Sequence, residues 1–164
     1  MYGLGTYNAS KKFIQKYGVG VANAIKGTGL FFPAVMAQSA LESGYGKTIP
    51  EGSNNFAGIK YNPDLPGVVG YVSADTTEYK KGVPYKTVQK FAKFKDVESG
   101  FRAHIDVLLE DRYAKARDTA KTPEDQILMI AKAGYTTGNP IEYLNLMKGI
   151  IEAMRDISQI GRIN

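Results

Sequence analysis

With 164 residues, 43% hydrophobic and 23% charged, the chain is long enough for one domain with its own core and needs no covalent staple. It has no cysteine and one histidine, which excludes disulfides, thiol nucleophiles and cysteine-ligated zinc, and leaves His104 as the one possible base of a Ser-His-Asp triad. The net charge of +5 favours an acidic partner (nucleic acid, anionic lipid or wall polymer), but only modestly.

Residues 1–8 lack the basic segment and apolar run of a secretory signal. Asn8, Ala9 and Ser10 can cap a helix carrying Phe13, Ile14 and Tyr17, with Gly18 and Gly20 as interruptions. Val21, Ala22 and Ile25 then suggest a second short helix, ended by Gly27-Thr28-Gly29. Pro33 suits a first helical turn and Gly44 a helix end, so 34–43 reads as a helix. It is apolar on almost every side, the mark of a central helix, yet finishes in Glu42. The stretch 44–70 is rich in Gly, Pro and Asn and reads as loop. From Tyr71 to Phe94 the pattern becomes β, with Lys81-Gly82 at a hairpin turn. Asp96 can cap a helix bearing Phe101, Ile105, Leu108 and Leu109. Thr122-Pro123-Glu124-Asp125 is a helix start whose run reaches about Ala133 and stops at Gly134. Asn139-Pro140 opens a last helix with Ile141, Leu144, Met147, Ile150, Ile151 and Met154. The apolar runs 30–37 and 127–133 are too short to span a bilayer, so no membrane insertion is expected. The expected architecture is a single α+β domain over 1–164, mostly helical, with a small β-hairpin before the last three helices.

Two carboxylates stand out. Burial of Glu42 at the end of an apolar helix would raise its pKa toward the range of a general acid; the alternative is a solvated helix-end residue. Glu78 lies on a predicted strand beside the turn, where it is either the second carboxylate of a glycoside-cleaving pair or an ordinary exposed charge.

Ala37-Gln38-Ser39-Ala40-Leu41-Glu42-Ser43-Gly44-Tyr45-Gly46 resembles the signature of the bacterial glucosaminidase domain, glycoside hydrolase family 73. Asn54-Asn55-Phe56-Ala57-Gly58-Ile59-Lys60 resembles that family's second block, and Thr77-Glu78-Tyr79 its hairpin motif. Phe91-Ala92-Lys93-Phe94, with Glu98-Ser99-Gly100-Phe101 and His104, is similar to the block entering the next helix. Ala133-Gly134-Tyr135-Thr136-Thr137 resembles the late tyrosine motif. The family often carries Trp where Tyr45 stands, and the acid that usually follows the late motif is replaced by the neighbourhood of Gly138-Asn139.

The resemblance implies a lysozyme-like fold and cleavage of peptidoglycan between N-acetylglucosamine and N-acetylmuramic acid. It implies Glu42 as general acid, Glu78 as second carboxylate and Tyr135 as a cleft tyrosine of the catalytic set that bonds the acetamido group or holds Glu42 in place, the alternative being a core tyrosine beside a helix stop. Gln38, Tyr45, Asn55, Phe56 and Tyr61 are the expected substrate-binding residues, because sugars stack on aromatic faces and bond to amides; each has packing as its alternative. His104, among Phe101, Ile105 and Leu108, is expected to be structural. No metal or cofactor is implied, since proton transfer and water attack need none. The expected partner is the glycan strand, met by a monomer at the cell wall. With no signal segment, delivery would fall to lysis, a phage particle or a secretion machine, and an immunity protein is a further expected partner. The rival readings are a lytic transglycosylase, an inactive wall-binding module and a nucleic-acid binder. Scattered Lys11, Lys12, Lys80, Lys81, Arg102, Lys115 and Arg117 argue against the last.

Overall fold

In the computed structural model, which describes residues 1–163, the chain opens on a helix of 22 residues, α1 (Leu4–Ile25). The expected break at Gly18 and Gly20 does not occur, and the cap is Gly3 rather than the 8–10 segment. A glycine inside a helix costs about 1 kcal/mol relative to alanine. Burial of Phe13, Val21 and Ile25 along one stripe outweighs that cost. Gly18 also has a packing role. A Cβ there would lie 3.1 Å from Ile14 Cγ2 and 3.3 Å from the Phe32 ring, so its absence lets α1 approach the next helix closely.

That next helix, α2 (Phe32–Ser43), begins with Pro33 in its first turn and is buried along 34–40. Gly44 ends it in the left-handed region at φ 54, and Tyr45 follows at φ 57. These two positive φ values turn the chain away directly after Glu42.

A loop over 44–67 leads into a hairpin of β1 (Val68–Lys80) and β2 (Val83–Phe94), paired antiparallel with Glu78 opposite Tyr85. Lys81 and Gly82 both have positive φ, at 52 and 77, as the expected two-residue turn requires. Only the base of the hairpin is anchored: Ala92 and Phe94 are buried with Ala103, while Tyr79, Val83, Tyr85 and Val88 stay exposed.

Helix α3 (Val97–Leu108) starts where Asp96 accepts the Ser99 N–H at 2.8 Å, a bond that lowers the Asp96 pKa. A 3-10 turn (Asp111–Tyr113) and the short α4 (Ala114–Thr119) follow. Four helices therefore follow the hairpin, not three. The extra one has six residues and buries only Ala116, too little to create a periodic pattern. Helix α5 (Pro123–Ile130) has the expected Thr122 cap, accepting the Asp125 N–H at 3.0 Å. It runs into one π turn (Ala131–Tyr135), where Gly134 adopts φ 105. Asn139 Oδ1 accepts the N–H groups of Ile141 and Glu142 at the start of α6 (Pro140–Ile163). Its buried stripe runs through Tyr143, Leu144, Met147, Ile151 and Met154; Ile141, expected to join it, is exposed.

Among the described residues α1, α5 and α6 pack directly on α2, α3 packs on α1 and α4 on α5, and the hairpin projects as a separate lobe. Tyr135 packs against both main clusters of the core, one around α1, α2 and α3, the other between α2, α5 and α6. Among the described residues no helix is long and apolar enough to cross a membrane.

Candidate active site

Glu42 stands on the last turn of α2, where a negative charge opposes the helix dipole. It opens on a groove of about 620 Å³. Residues 57–60 form part of its wall, and Val107, Glu110, Arg112, Tyr135, Thr136, Thr137 and Tyr143 complete the lining around the carboxylate. The Tyr143 hydroxyl donates to Glu42 Oε1 at 3.0 Å. By surface area Glu42 is exposed, because one side meets the groove. Protein crowds its remaining sides, and this desolvation raises the carboxyl pKa, while the Tyr143 bond lowers it in part. The balance lies upward, so the carboxyl holds a proton at higher pH than an ordinary glutamate. Burial, reinforced by the Glu42 charge, pushes the Tyr135 and Tyr143 phenols far upward, so both stay protonated donors.

The 57–60 wall is built by Asn55. Its Nδ2 donates to Ile59 O at 2.9 Å and Ala92 O at 3.0 Å, and its Oδ1 accepts the Ile59 N–H at 3.0 Å. One side chain thus folds the loop and ties it to β2. Gly100 allows α3 to press against the same loop, since a Cβ there would fall 1.8 Å from Asn54 O.

Glu78 reaches the groove by another route. Its Oε1 lies 3.6 Å from Lys60 Nζ, on the 57–60 wall. Lys60 is bridged to Phe91, which pairs with Val72, six residues before Glu78. On a flat strand that offset is about 20 Å, beyond the reach of the two side chains. The hairpin must therefore curl toward the groove for this ion pair to form.

Residues 21–156 match the family model for the glucosaminidase domain, described as mannosyl-glycoprotein endo-beta-N-acetylglucosaminidase. The chain belongs to the glucosaminidase family. Peptidoglycan hydrolase FlgJ of Pseudomonas aeruginosa is 35% identical to it over 109 residues, 63% of this chain and 27% of that protein. FlgJ of Escherichia coli K12 is 28% identical over 154 residues, 91% of this chain and 48% of its own length. The glucosaminidase chain thus spans about half or less of these curated relatives. The solved, C-terminally truncated glycoside hydrolase domain of Salmonella typhimurium FlgJ is 27% identical, covers 90% of this chain and 98% of its own, and superposes with a TM-score of 0.68. The lysozyme-like α+β architecture expected from the motifs is the one found.

Within this glucosaminidase domain the motif residues divide. Glu42 and Tyr135 meet at the groove, and Glu78 flanks it through Lys60. None of the five expected sugar contacts lines this groove. Gln38 is fully buried against His104 and Tyr143. Asn55 spends its amide on backbone. Phe56 is buried, stacked on Phe101 with ring centroids 4.4 Å apart. Tyr45 turns toward α1, its ring 5.9 Å from Phe13. Tyr61 is half-buried against Tyr71, 5.2 Å away. Tyr71 and Glu78 are an odd number of residues apart, so by strand alternation Tyr61 lies on the hairpin face away from Glu78. In each case burial of the apolar part, or satisfaction of a buried amide, decided the orientation. His104 is structural in the sense expected, fully buried between Ser39 and Gln38.

Tyr143 was not foreseen. Its signal was present: it sits one turn before Met147 on the buried stripe of α6, and a buried phenol needs a partner for its hydroxyl. Arg112 gave no comparable signal, because the turn that places it has no pattern of its own.

Proposed function

We propose that this domain hydrolyses the β-1,4 bond between N-acetylglucosamine and N-acetylmuramic acid in peptidoglycan, with Glu42 as general acid. The carrying observation is Glu42 itself: a carboxylate with raised pKa, facing an open groove and held by a protonated phenol. Glu42 passes its proton to the glycosidic oxygen as the C–O bond breaks, leaving an oxocarbenium-like sugar. The cation is met from its other face by a water activated by Glu78, or by the sugar's own 2-acetamido oxygen with Glu78 orienting the group. In the first case Glu78 takes the proton of the attacking water; in the second, water later opens the oxazolinium ring and returns the proton to Glu42. Tyr135 lines the groove with a hydroxyl that stays protonated and able to donate. The partner is the glycan strand at the cell wall, bound by a monomer.

Purified sacculi, digested, reduced with borohydride and analysed by mass spectrometry, test this reading. N-acetylglucosaminitol ends are expected, with activity retained in EDTA. Muramic ends, anhydromuramic ends or no cleavage overturn it; the last two are the outcomes for a lytic transglycosylase and a binding module. Glu42→Gln is expected to reduce the rate by about 10² to 10⁴.

A further inference from the structure

Behind Glu42 lies a chain of polar side chains in an otherwise apolar core. Ser39 Oγ is 2.9 Å from His104 Nδ1, and His104 Nε2 is 2.7 Å from Gln38 Oε1. Gln38 Nε2 is 3.1 Å from the Tyr143 hydroxyl, which is 3.0 Å from Glu42 Oε1. Ser39, His104 and Gln38 are fully buried, and Tyr143 nearly so. We propose that Ser39, His104, Gln38 and Tyr143 form a one-way hydrogen-bond chain that positions Glu42, presenting a donor to Oε1 and keeping the transferable proton on Oε2.

The direction follows from counting protons. An amide oxygen only accepts, so His104 carries its proton on Nε2, and Nδ1 takes one from the Ser39 hydroxyl. Burial lowers the His104 pKa to about 4, so the ring has a single proton to place. With Gln38 Oε1 occupied by His104, its Nε2 faces Tyr143 as a donor. Tyr143 has one hydroxyl proton. Because its oxygen accepts from Gln38, that proton goes to Glu42 Oε1.

The reverse arrangement shows what is at stake. With the Gln38 amide turned round, Tyr143 would donate to Gln38. Glu42 could then keep its bond to Tyr143 only by donating its own proton, which would be trapped on Oε1. Once ionised, Glu42 has no proton to give, and two acceptors would face each other. The forward direction avoids this, and it strengthens the donor at Oε1 as charge develops on the carboxylate. No described residue hydrogen-bonds Oε2, leaving it for the glycosidic oxygen. Gln38, expected from the motif to touch sugar, acts on the reaction through Tyr143.

This inference rests on Glu42 being the acid. The titratable and charged groups that line the groove with Glu42 are Tyr143 from α6, Tyr135 from the π turn, Glu110 and Arg112 from the segment after α3, and Lys60 from the loop. Variants that leave all but Tyr143 in place therefore isolate the chain. The measurement is the initial rate of reducing-end release from sacculi as a function of pH. A general acid works protonated, so its pKa sets the alkaline limb. Tyr143→Phe removes a bond that favours the ionised form and should move that limb upward by about one pH unit. Gln38→Met should move it the same way by less, Ser39→Ala by less again, and Gln38→Met combined with Tyr143→Phe no further than Tyr143→Phe alone. Should Gln38→Met fail to fold, carbon-13 carboxyl titration of Glu42 in the Ser39→Ala and Tyr143→Phe variants reads the same ordering. A Gln38→Met variant slowed equally at every pH, or shifts that add in the double variant, would overturn the chain. An active Glu42→Gln removes the proposed function itself; an inactive Glu42→Gln with unmoved limbs removes only the chain.

Discussion

Asn55→Ala separates a wall-building role for Asn55 from the sugar contact that its motif position suggests. The wild-type side chain makes three bonds of 2.9 to 3.0 Å with the backbone of Ile59 and Ala92, plus a longer one of 3.4 Å from the Ala57 N–H. Each of the three good bonds contributes about 1 kcal/mol net, and the backbone partners lose their match inside the fold. The expected loss is therefore about 3 kcal/mol. For a domain of this size each kcal/mol moves Tm by about 2 to 4 °C, which gives a fall of about 6 to 12 °C. Circular dichroism melts at neutral pH measure it. Activity should fall as well, because the 57–60 wall carries Lys60. Asn55→Asp should also destabilise, since it loses both Nδ2 donor bonds and sets a charge against two carbonyls. A variant whose Tm drops by less than about 2 °C while KM rises sharply would refute this reasoning and return Asn55 to the substrate.

Three further outcomes follow from burial and close packing in the fold. Glu42 has a folded pKa above its unfolded value, so between the two the native state holds the extra proton and stability falls as pH rises through that window. Glu42→Gln should thus be inactive on sacculi yet melt no lower than wild type at neutral pH, and a lower Tm would contradict the desolvated site. His104 is depressed from 6.5 to about 4 by burial, so the unfolded chain binds a proton in that interval that the native state refuses. Native stability should be intact above the upper value and lost by about 3 kcal/mol as pH falls through the interval, with His104→Asn giving a flatter urea-denaturation profile. Gly20→Ala, with nothing within 4 Å of the new Cβ, should raise Tm by about 2 to 4 °C, while Gly100→Ala, driven against Asn54 O, should lower it well below wild type.

How far the site could be read in advance differs by residue. Glu42 was legible because it ends an apolar helix just before a glycine stop, a local conflict that sites tolerate. Glu78 stood out as a carboxylate on a strand beside the turn, but its role, like that of Tyr135, came only from the resemblance to the glucosaminidase motifs. Gln38, Asn55 and Phe56, expected to meet sugar, are buried within the protein. A residue type suited to sugar is equally suited to a buried network or an aromatic stack. Tyr143 went unnamed because one face of α6 serves packing and chemistry together.

Local chemistry determined the helix caps at Asp96, Thr122 and Asn139, the hairpin turn at Lys81-Gly82 and the central place of α2. Each of these depends on residues a few positions apart, which the chain carries within itself. Tertiary packing decided the rest. It carried α1 through two glycines, because a buried stripe outweighs about 1 kcal/mol per glycine. It curled the hairpin until Glu78 met Lys60. It also linked Ser39 to His104, His104 to Gln38, Gln38 to Tyr143 and Tyr143 to Glu42, across sequence separations of 65, 66, 105 and 101 residues. Buried polar atoms must find partners wherever the fold puts them, and that demand, absent from any local window, is what shaped the surroundings of the carboxylate.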